Sequence, residues 1–333
     1  MPRELILREV RQPIIRAYED GPVAEGSVRV RITAGAPKHG TEMQFFRGEV
    51  AVEFPRRLGN ICVGTIAEVG PGVTGYAVGD RVAGYGGLRE THTWPADRVL
   101  RMNDRMTWQE AVCFDPAQFA FSGVRDSQLR VGDRAAVFGL GAIGQMAVQL
   151  ARLAGAAFVA AVDPVARRRD AAASVGADLV IDPTAENAGD ALKKATGNRG
   201  IDVAIETSGN YSALHEAIHG LAWGGNVAFV GFAKECTGGL NFGTDAHFMV
   251  PNIIFSRACS EPNRDHPRWD WPRIKEACWQ LLADGRLQCE PIIHPVVPFS
   301  ESIEAFGDID QHPDRSIKLG VLVGEGEGEQ VTE

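Results

Sequence analysis

No run of apolar residues in this chain approaches the roughly 18 that a membrane-crossing helix needs, which excludes a transmembrane segment at the level of sequence. An excess of positive charge is also missing. Lys and Arg number 34 against 43 Asp and Glu, a net charge of −9 that argues against nucleic acid or an anionic membrane as partner. The N-terminal "MPRELILREV" interrupts its apolar run with charges and so does not read as a signal peptide. Cysteine is sparse and unpatterned. Cys62, Cys113, Cys236, Cys259, Cys278 and Cys289 contain no C-x-x-C pair, and their spacing fits neither a zinc knuckle nor a disulfide framework. Most stand in apolar stretches as small hydrophobes, which suits a reducing cytoplasm. There is no internal repeat.

What is present is an ordinary globular composition, 44% apolar and 23% charged, in a chain of 333 residues. That length exceeds what one core usually supports, so two domains are expected. Up to about residue 117 the chain is rich in Gly, Pro and short alternating runs such as "SVRVRITA" and "GTIAEVG", the pattern of turn-bounded β-strands. From about residue 130 strands and helices alternate, as in "RAAVFGL" followed by "AIGQMAVQLARLAGA", which predicts a parallel sheet covered on both faces. After about residue 260 come the Trp- and Arg-bearing "SEPNRDHPRWDWP", a helix, and the short strands "IIHPVV" and "IKLGVLV". Arg264, Arg268, Trp269 and Trp271 of that loop suit either substrate or subunit contact, or core packing with a solvated rim. The expected division is a mostly-β domain from 1–117 and 261–323, an α/β domain from 118–260, and a disordered acidic, Gly-rich tail from 324–333.

The sharpest motif is Gly139-x-Gly141-x-x-Gly144, directly after a strand and opening a helix, with Asp163 closing the next strand nineteen residues after Gly144. Gly139 permits the tight turn, Gly141 lets the backbone approach a pyrophosphate, and Gly144 allows helix to pack on strand. The helix N-terminus at Ala142 and Ile143 offers free N–H groups and positive dipole to phosphates. Asp163 suits the ribose hydroxyls of NAD and repels the 2′-phosphate of NADP, while Arg168, within "ARRRD", is either an NADP-type contact or a solvated helix face. Thr207 and Gly231, after the later strands "IDVAIE" and "GNVAFV", complete the candidate cofactor contacts.

A second stretch, "APKHGTEMQFFRG", crowds Lys38, His39, Thr41 and Glu42 behind a strand. On its own it reads as a metal site, an acid–base site or a polar loop.

Three longer segments carry a resemblance: "GTIAEVGPGVTGYAVGDRVAG", "VFGLGAIGQMAVQLAR" and "DVAIETSGNYSALHEAIHGLAWGGNVAFVGF". Together they resemble the medium-chain dehydrogenase/reductase family of zinc alcohol and polyol dehydrogenases, over essentially residues 1–323. The resemblance implies a Rossmann doubly wound domain beside a chaperonin-10-like, mostly-β catalytic domain, a small-molecule substrate, and a homodimer or homotetramer. It also implies where zinc ligands would stand, and there the sequence departs from the pattern. His39-Gly40-Thr41-Glu42 replaces a Cys-Gly-Thr/Ser-Asp segment. Asn60 and Ile61 replace the His-Glu of a Gly-His-Glu segment, and Asp115 stands at the third ligand position. Residues 87–112, where such relatives carry a four-Cys lobe, hold no cysteine. Cys62 and Cys113 are offset from ligand positions by one or two residues.

A catalytic zinc needs three good ligands and an open position, which this set does not supply. The expectation is therefore an acid–base site built where relatives hold the metal. His39 would act as general base, oriented by a charge-assisted hydrogen bond to Asp115, with Thr41 on the substrate oxygen and Lys38 stabilising an alkoxide. Each has a blander reading: His39 in a buried polar network, Asp115 as an N-cap, Lys38 and Glu42 as structural or solvent-facing groups. Asn60, Glu42, Gln118 and His247 are the candidate substrate contacts, a polar set suited to a sugar, cyclitol or polyol. Two alternatives stay open, a zinc-free enone or quinone reductase and a dinucleotide-binding protein without catalysis.

Overall fold

The computed structural model describes residues 1–232 and 242–324; Cys236 and all but the first residue of the expected disordered tail lie outside the described residues. The chain divides into two compact units, Met1–Asp115 with Leu282–Glu333, and Pro116–Leu281. These boundaries differ from the 117/118 and 260/261 expected. The second difference has a local cause, because the loop after residue 260 is tied to the helix that opens the second unit. Arg125 pairs with Asp265, the Phe121 and Trp269 rings lie 5.3 Å apart, and Trp271 Nε1 donates to Gln118 Oε1 at 3.0 Å.

In the first unit β1 (Arg3–Glu9), β2 (Gln12–Ala17) and β3 (Ser27–Ala36) precede α1 (His39–Arg47). The short β4 (Arg56–Arg57) leads to β5 (Ile61–Val69), β6 (Arg81–Tyr85), β7 (Thr91–Pro95) and β8 (Leu100–Arg101). Then come α2 (Trp108–Val112) and α3 (Phe114–Asp126), the latter running on into the second unit. A capping box starts α2: Thr107 Oγ1 accepts from Glu110 N at 3.3 Å and Glu110 Oε2 from Thr107 N at 2.7 Å.

The second unit continues with β9 (Arg134–Phe138), α4 (Ala142–Leu153), β10 (Phe158–Val162), α5 (Ala166–Ser174) and β11 (Leu179–Ile181). It is completed by α6 (Ala188–Ala195), β12 (Ile201–Glu206), α7 (Tyr211–Gly220), β13 (Leu221–Phe229), α8 (Thr244–Met249), β14 (Asn252–Phe255) and most of α9 (Trp271–Ala283). The chain returns to the first unit through β15 (Ile293–Pro298), α10 (Ser302–Gln311) and β16 (Lys318–Leu322).

The second unit's sheet runs β11-β10-β9-β12-β13-β14 with every described pairing parallel. The strand order reverses between β9 and β12, and such a sheet binds its ligand in the crevice beyond the strand ends at that reversal. Phe138, Val162, Ile181, Leu192, Leu214 and Val227 fill its core. The first unit's larger sheet runs β15-β16-β3-β5-β6-β8, with β7 also on β3, over a core that includes Val30, Ile32, Ile66, Leu319 and Val321. A three-stranded sheet, β2-β1-β4, lies beside it in sequence and is antiparallel. The register Val321↔Gly35 and Leu322↔Ala34 brings the start of β16 alongside the residues that follow β3. That register is what gathers the first unit's polar residues. Among the described residues no helix is long and apolar enough to cross a membrane.

Candidate active site

The chain leaves β3 at Ala36, turns through Pro37 and Lys38, and enters α1 at His39. Two buried charges hold this elbow. Lys318, 2% exposed at the start of β16, donates from Nζ to Pro37 O at 2.9 Å. Glu42, 5% exposed, folds back from the first turn of α1, accepting from Lys38 N at 2.9 Å and Gly59 N at 2.8 Å. One carboxylate thus joins the segment carrying Lys38 and His39 to the turn carrying Asn60. Burial pushes the Glu42 carboxyl above its usual range, against the pull of those two N–H groups and of Lys318. Burial likewise pushes the Lys318 ammonium below the usual lysine range, with Asp115 and Glu42 among the charges that oppose the shift.

Asp115, in the first turn of α3 and 8% exposed, accepts a hydrogen bond from Lys38 Nζ at 3.2 Å. This corrects the expected His39–Asp115 hydrogen bond: the carboxylate is paired with the ammonium one residue earlier. The His39 ring is turned to the last strand instead. Its Nδ1 accepts from Leu319 N at 3.4 Å and its Nε2 lies 3.2 Å from Ser316 Oγ, which in turn donates to Pro313 O at 3.4 Å. That chain of donors is satisfied by the neutral tautomer carrying hydrogen on Nε2. Glu42 also departs from its expected substrate contact, because both its oxygens serve backbone N–H groups. Thr41 is half-buried on α1.

Asn60 is fixed through its backbone, N donating to Ala36 O at 3.0 Å and O accepting from Gly86 N at 2.9 Å. Its side-chain Nδ2 is buried and has no acceptor among the described residues. A buried donor without a partner costs about 1–3 kcal/mol, so the position is suited to receiving an oxygen from a ligand. Cys62 and Cys113 are both fully buried; the Cys62 thiol, pushed up to about 12 by burial, donates to Gly87 O at 3.3 Å. A cavity of about 570 Å³ in this unit is bordered by Tyr85, Gly86, Gly87 and Trp94. Charges along it are paired among themselves, Glu4 with Arg16 and Arg57, and Asp20 with Arg89.

In the second unit the glycine loop is built as its spacing implies. Gly139 has φ +81°, and a side chain there would strike Ser208. A Cβ on Gly144 would sit 1.9 Å from Gly139 O, whereas one on Gly141, the residue capping α4, would stand in open space. Thr207 Oγ1 donates to Gly139 O at 2.8 Å, bracing the loop from β12. Gly231 lies against Gly209, close enough that a Cβ would clash with its backbone. Asp163, 3% exposed, accepts from Leu140 N at 2.7 Å and Val165 N at 2.8 Å, with Arg168 Nη1 3.8 Å from Oδ2. The carboxylate is therefore locked against the loop it faces.

Two expected substrate contacts have other surroundings. Gln118 is 1% exposed and its Oε1 is taken by Trp271 Nε1. His247 is exposed on α8, its ring edge-on to Phe248. Arg125 and Arg273 stack on Trp269 at 4.0 and 4.2 Å, the packing alternative for that loop. Sequence reasoning overlooked Lys318, Ser316 and the buried Glu206, whose carboxylate accepts from Ser208 N at 2.7 Å and Gly209 N at 3.0 Å. A lysine opening a strand that is otherwise apolar was the available signal for Lys318.

A six-stranded parallel sheet with a glycine loop at its reversal, joined in one chain to a β unit carrying a polar elbow, defines a two-domain NAD(P)-type dehydrogenase. Comparison with known proteins agrees. The zinc-binding dehydrogenase model matches residues 142–260 and the alcohol dehydrogenase GroES-like domain model residues 24–104. A D-guloside 3-dehydrogenase of Escherichia coli K12 is 47% identical, over 96% of this chain and 99% of its own. Among solved structures, 2R,3R-butanediol dehydrogenase from Bacillus subtilis superposes with a TM-score of 0.80 at 21% identity, covering 97% of this chain and 99% of that one. Galactitol-1-phosphate dehydrogenase from Escherichia coli gives 0.81 at 20% identity, covering 96% and 99%. The chain belongs to the medium-chain dehydrogenase/reductase family, in its zinc-type alcohol dehydrogenase branch.

Proposed function

We propose that this protein is an NAD-dependent dehydrogenase that oxidises a secondary alcohol of a sugar or glycoside to a ketone, without zinc, using Lys38 and Asp115 to handle the proton. The observation that carries the reading is the Lys38–Asp115 pair, with the unpartnered Nδ2 of Asn60 on the turn that Glu42 ties to the Lys38 backbone. The E. coli relative named D-guloside 3-dehydrogenase is similar over 96% of this chain, which supports a glycoside as substrate class.

The donor set supports a zinc-free site. Asp115 already holds an ammonium, both His39 ring nitrogens have partners on the last strand and its flank, and Asn60 presents an amide hydrogen. A metal in relatives polarises the alcohol oxygen; here the side chains must supply that work.

In the proposed mechanism Lys38 first gives its ammonium proton to solvent, and the Nζ amine then takes the hydroxyl proton; a nicotinamide held by the glycine loop would accept the hydride from the same carbon. Asp115 stabilises the ammonium that results. In reverse the ammonium donates to the ketone oxygen. Asn60 Nδ2 donates to a substrate oxygen, and Thr41 is offered as a second hydroxyl contact. His39, neutral and held by Leu319 and Ser316, positions the elbow rather than moving the proton. Glu42 and Lys318 fix the backbone on either side of Lys38.

Asp163, locked against Leu140, favours the two ribose hydroxyls of NAD over the phosphate of NADP. Gly139, Gly141, Ala142, Ile143, Gly144, Thr207 and Gly231 make or brace the dinucleotide cradle, with Arg168 over the adenine side. A cytoplasmic homodimer or homotetramer completes the reading. Buried free thiols support the reducing compartment, and the edge strand β14 is available for pairing with a second copy.

The test is an NAD-coupled assay with methyl D-guloside, acyclic polyols and simple secondary alcohols. Ketone formation from the glycoside with NAD reduced, lost in Lys38→Met, is the expected result. Reduction of an enone, or NADH binding with no turnover on any alcohol, would replace this reading by one of the alternatives.

A further inference from the structure

Tyr85 is one of only four tyrosines in the chain and is 41% exposed, although Val82 and Ala83 of the same strand are fully buried. It ends β6 opposite Ile61, the residue after Asn60, and Gly86, which follows it, donates its N–H to Asn60 O at 2.9 Å. Its ring lies 6.1 Å from that of Phe114, tilted by 50°, and Phe114 precedes Asp115 on α3. Phe114 is fully buried, so the tyrosine ring rests on a fixed base. An exposed aromatic is thus placed between the residues neighbouring the unpartnered Asn60 amide and those neighbouring the Lys38–Asp115 pair.

An aromatic face is negative and an aromatic edge positive. The C–H groups on one side of a sugar ring are weakly positive and apolar, so they lie well on such a face while the hydroxyls at the rim reach polar side chains. We propose that Tyr85 is a specificity-determining residue, the platform on which a ring-shaped sugar substrate lies while Asn60 and Lys38 take its oxygens; this rests on the function proposed above. Tyr85 also borders the charge-lined cavity of about 570 Å³, the space proposed for a group attached to the ring, although Asn60, Lys38 and Asp115 do not line it.

Tyr85→Ala, Tyr85→Phe and wild type are to be compared with methyl D-guloside and with the open-chain hexitol sorbitol, in steady-state kinetics and by calorimetric binding of each sugar to the NADH-bound protein. The proposal expects Tyr85→Ala to weaken the glycoside roughly three- to tenfold in KM and Kd, the range of a lost aromatic contact, with kcat little changed. Tyr85→Phe keeps wild-type values, and sorbitol distinguishes none of the three. Equal glycoside affinity in Tyr85→Ala, or an equal loss for both sugars that Phe does not restore, would overturn it. If wild type turns over no alcohol, the proposed function falls and the binding data alone decide the platform. Glycoside binding weakened by Ala and not by Phe would uphold it, and binding unaffected by either, or none at all, would refute it.

Discussion

The two units build their sites from different materials. In the second, the proposed dinucleotide cradle is mostly backbone: three glycines and a helix N-terminus, with the Asp163 carboxylate locked to loop N–H groups. In the first, the elbow after β3 is made of side chains, with Lys318, Glu42, Lys38, Asp115 and His39 each choosing a partner in three dimensions. A backbone site tolerates few residue types at each position and is insensitive to charge. A side-chain site can exchange its partners while keeping its place.

The sharpest way to break this contrast is to remove the ammonium. Lys38→Met should lower kcat roughly a hundred- to ten-thousandfold, the usual scale for a lost general acid–base group, while NADH binding by fluorescence is unchanged. His39→Asn should stay within about tenfold, because its ring serves Leu319 and Ser316. The reverse order of effects in stopped-flow kinetics would return the imidazole to the central role.

On the backbone side, Gly144→Val would force side-chain carbon into the Gly139 carbonyl and cost about 3 kcal/mol or more. Loss of NADH binding together with a lower denaturation midpoint is the expected outcome. Wild-type affinity would show that the loop is not the cradle described.

His92 offers a test of the first unit independent of catalysis. It stacks on Trp94 at 4.6 Å, Nε2 lies 2.8 Å from Gly87 O, and burial lowers its pKa from 6.5 to about 4. The folded state therefore binds its proton less readily than the unfolded one. The associated stability is present above pH 6.5 and is lost as pH falls toward about 4, a span of about 3 kcal/mol. Urea melts at pH 7.5 and 4.5 should show that loss in wild type and a smaller one in His92→Gln. The smallest expected change is Asn60→Ala, a rise in KM of about tenfold or less with kcat nearly kept, as befits one hydrogen bond to substrate. Unchanged KM would mean that Nδ2 meets no ligand oxygen.

The same contrast explains what could be read from the chain in advance. The glycine spacing predicted the geometry of the loop after β9 because Gly139 and Gly144 each answer a steric demand that sequence displays directly. The alternating strands and the later strand–helix repeat likewise announced both folds. His39, Asn60 and Asp115 were expected to converge, with Lys38 next to them in sequence, but which cation meets Asp115 depends on the β3–β16 register and on the Glu42 and Lys318 anchors, neither local in sequence. Gln118 looked available for substrate until Trp271, 153 residues away, took its oxygen. The Arg125–Asp265 and Phe121–Trp269 contacts, which tie the loop after residue 260 to α3, were hidden for the same reason, each spanning a long separation in sequence.

The most direct test of a metal-free proton site is to measure zinc content and turnover of methyl D-guloside on the same sample before and after exhaustive chelation. Full activity at far below one zinc per chain is predicted. Activity that falls in proportion to the zinc removed, and returns when zinc is added back, would contradict the account.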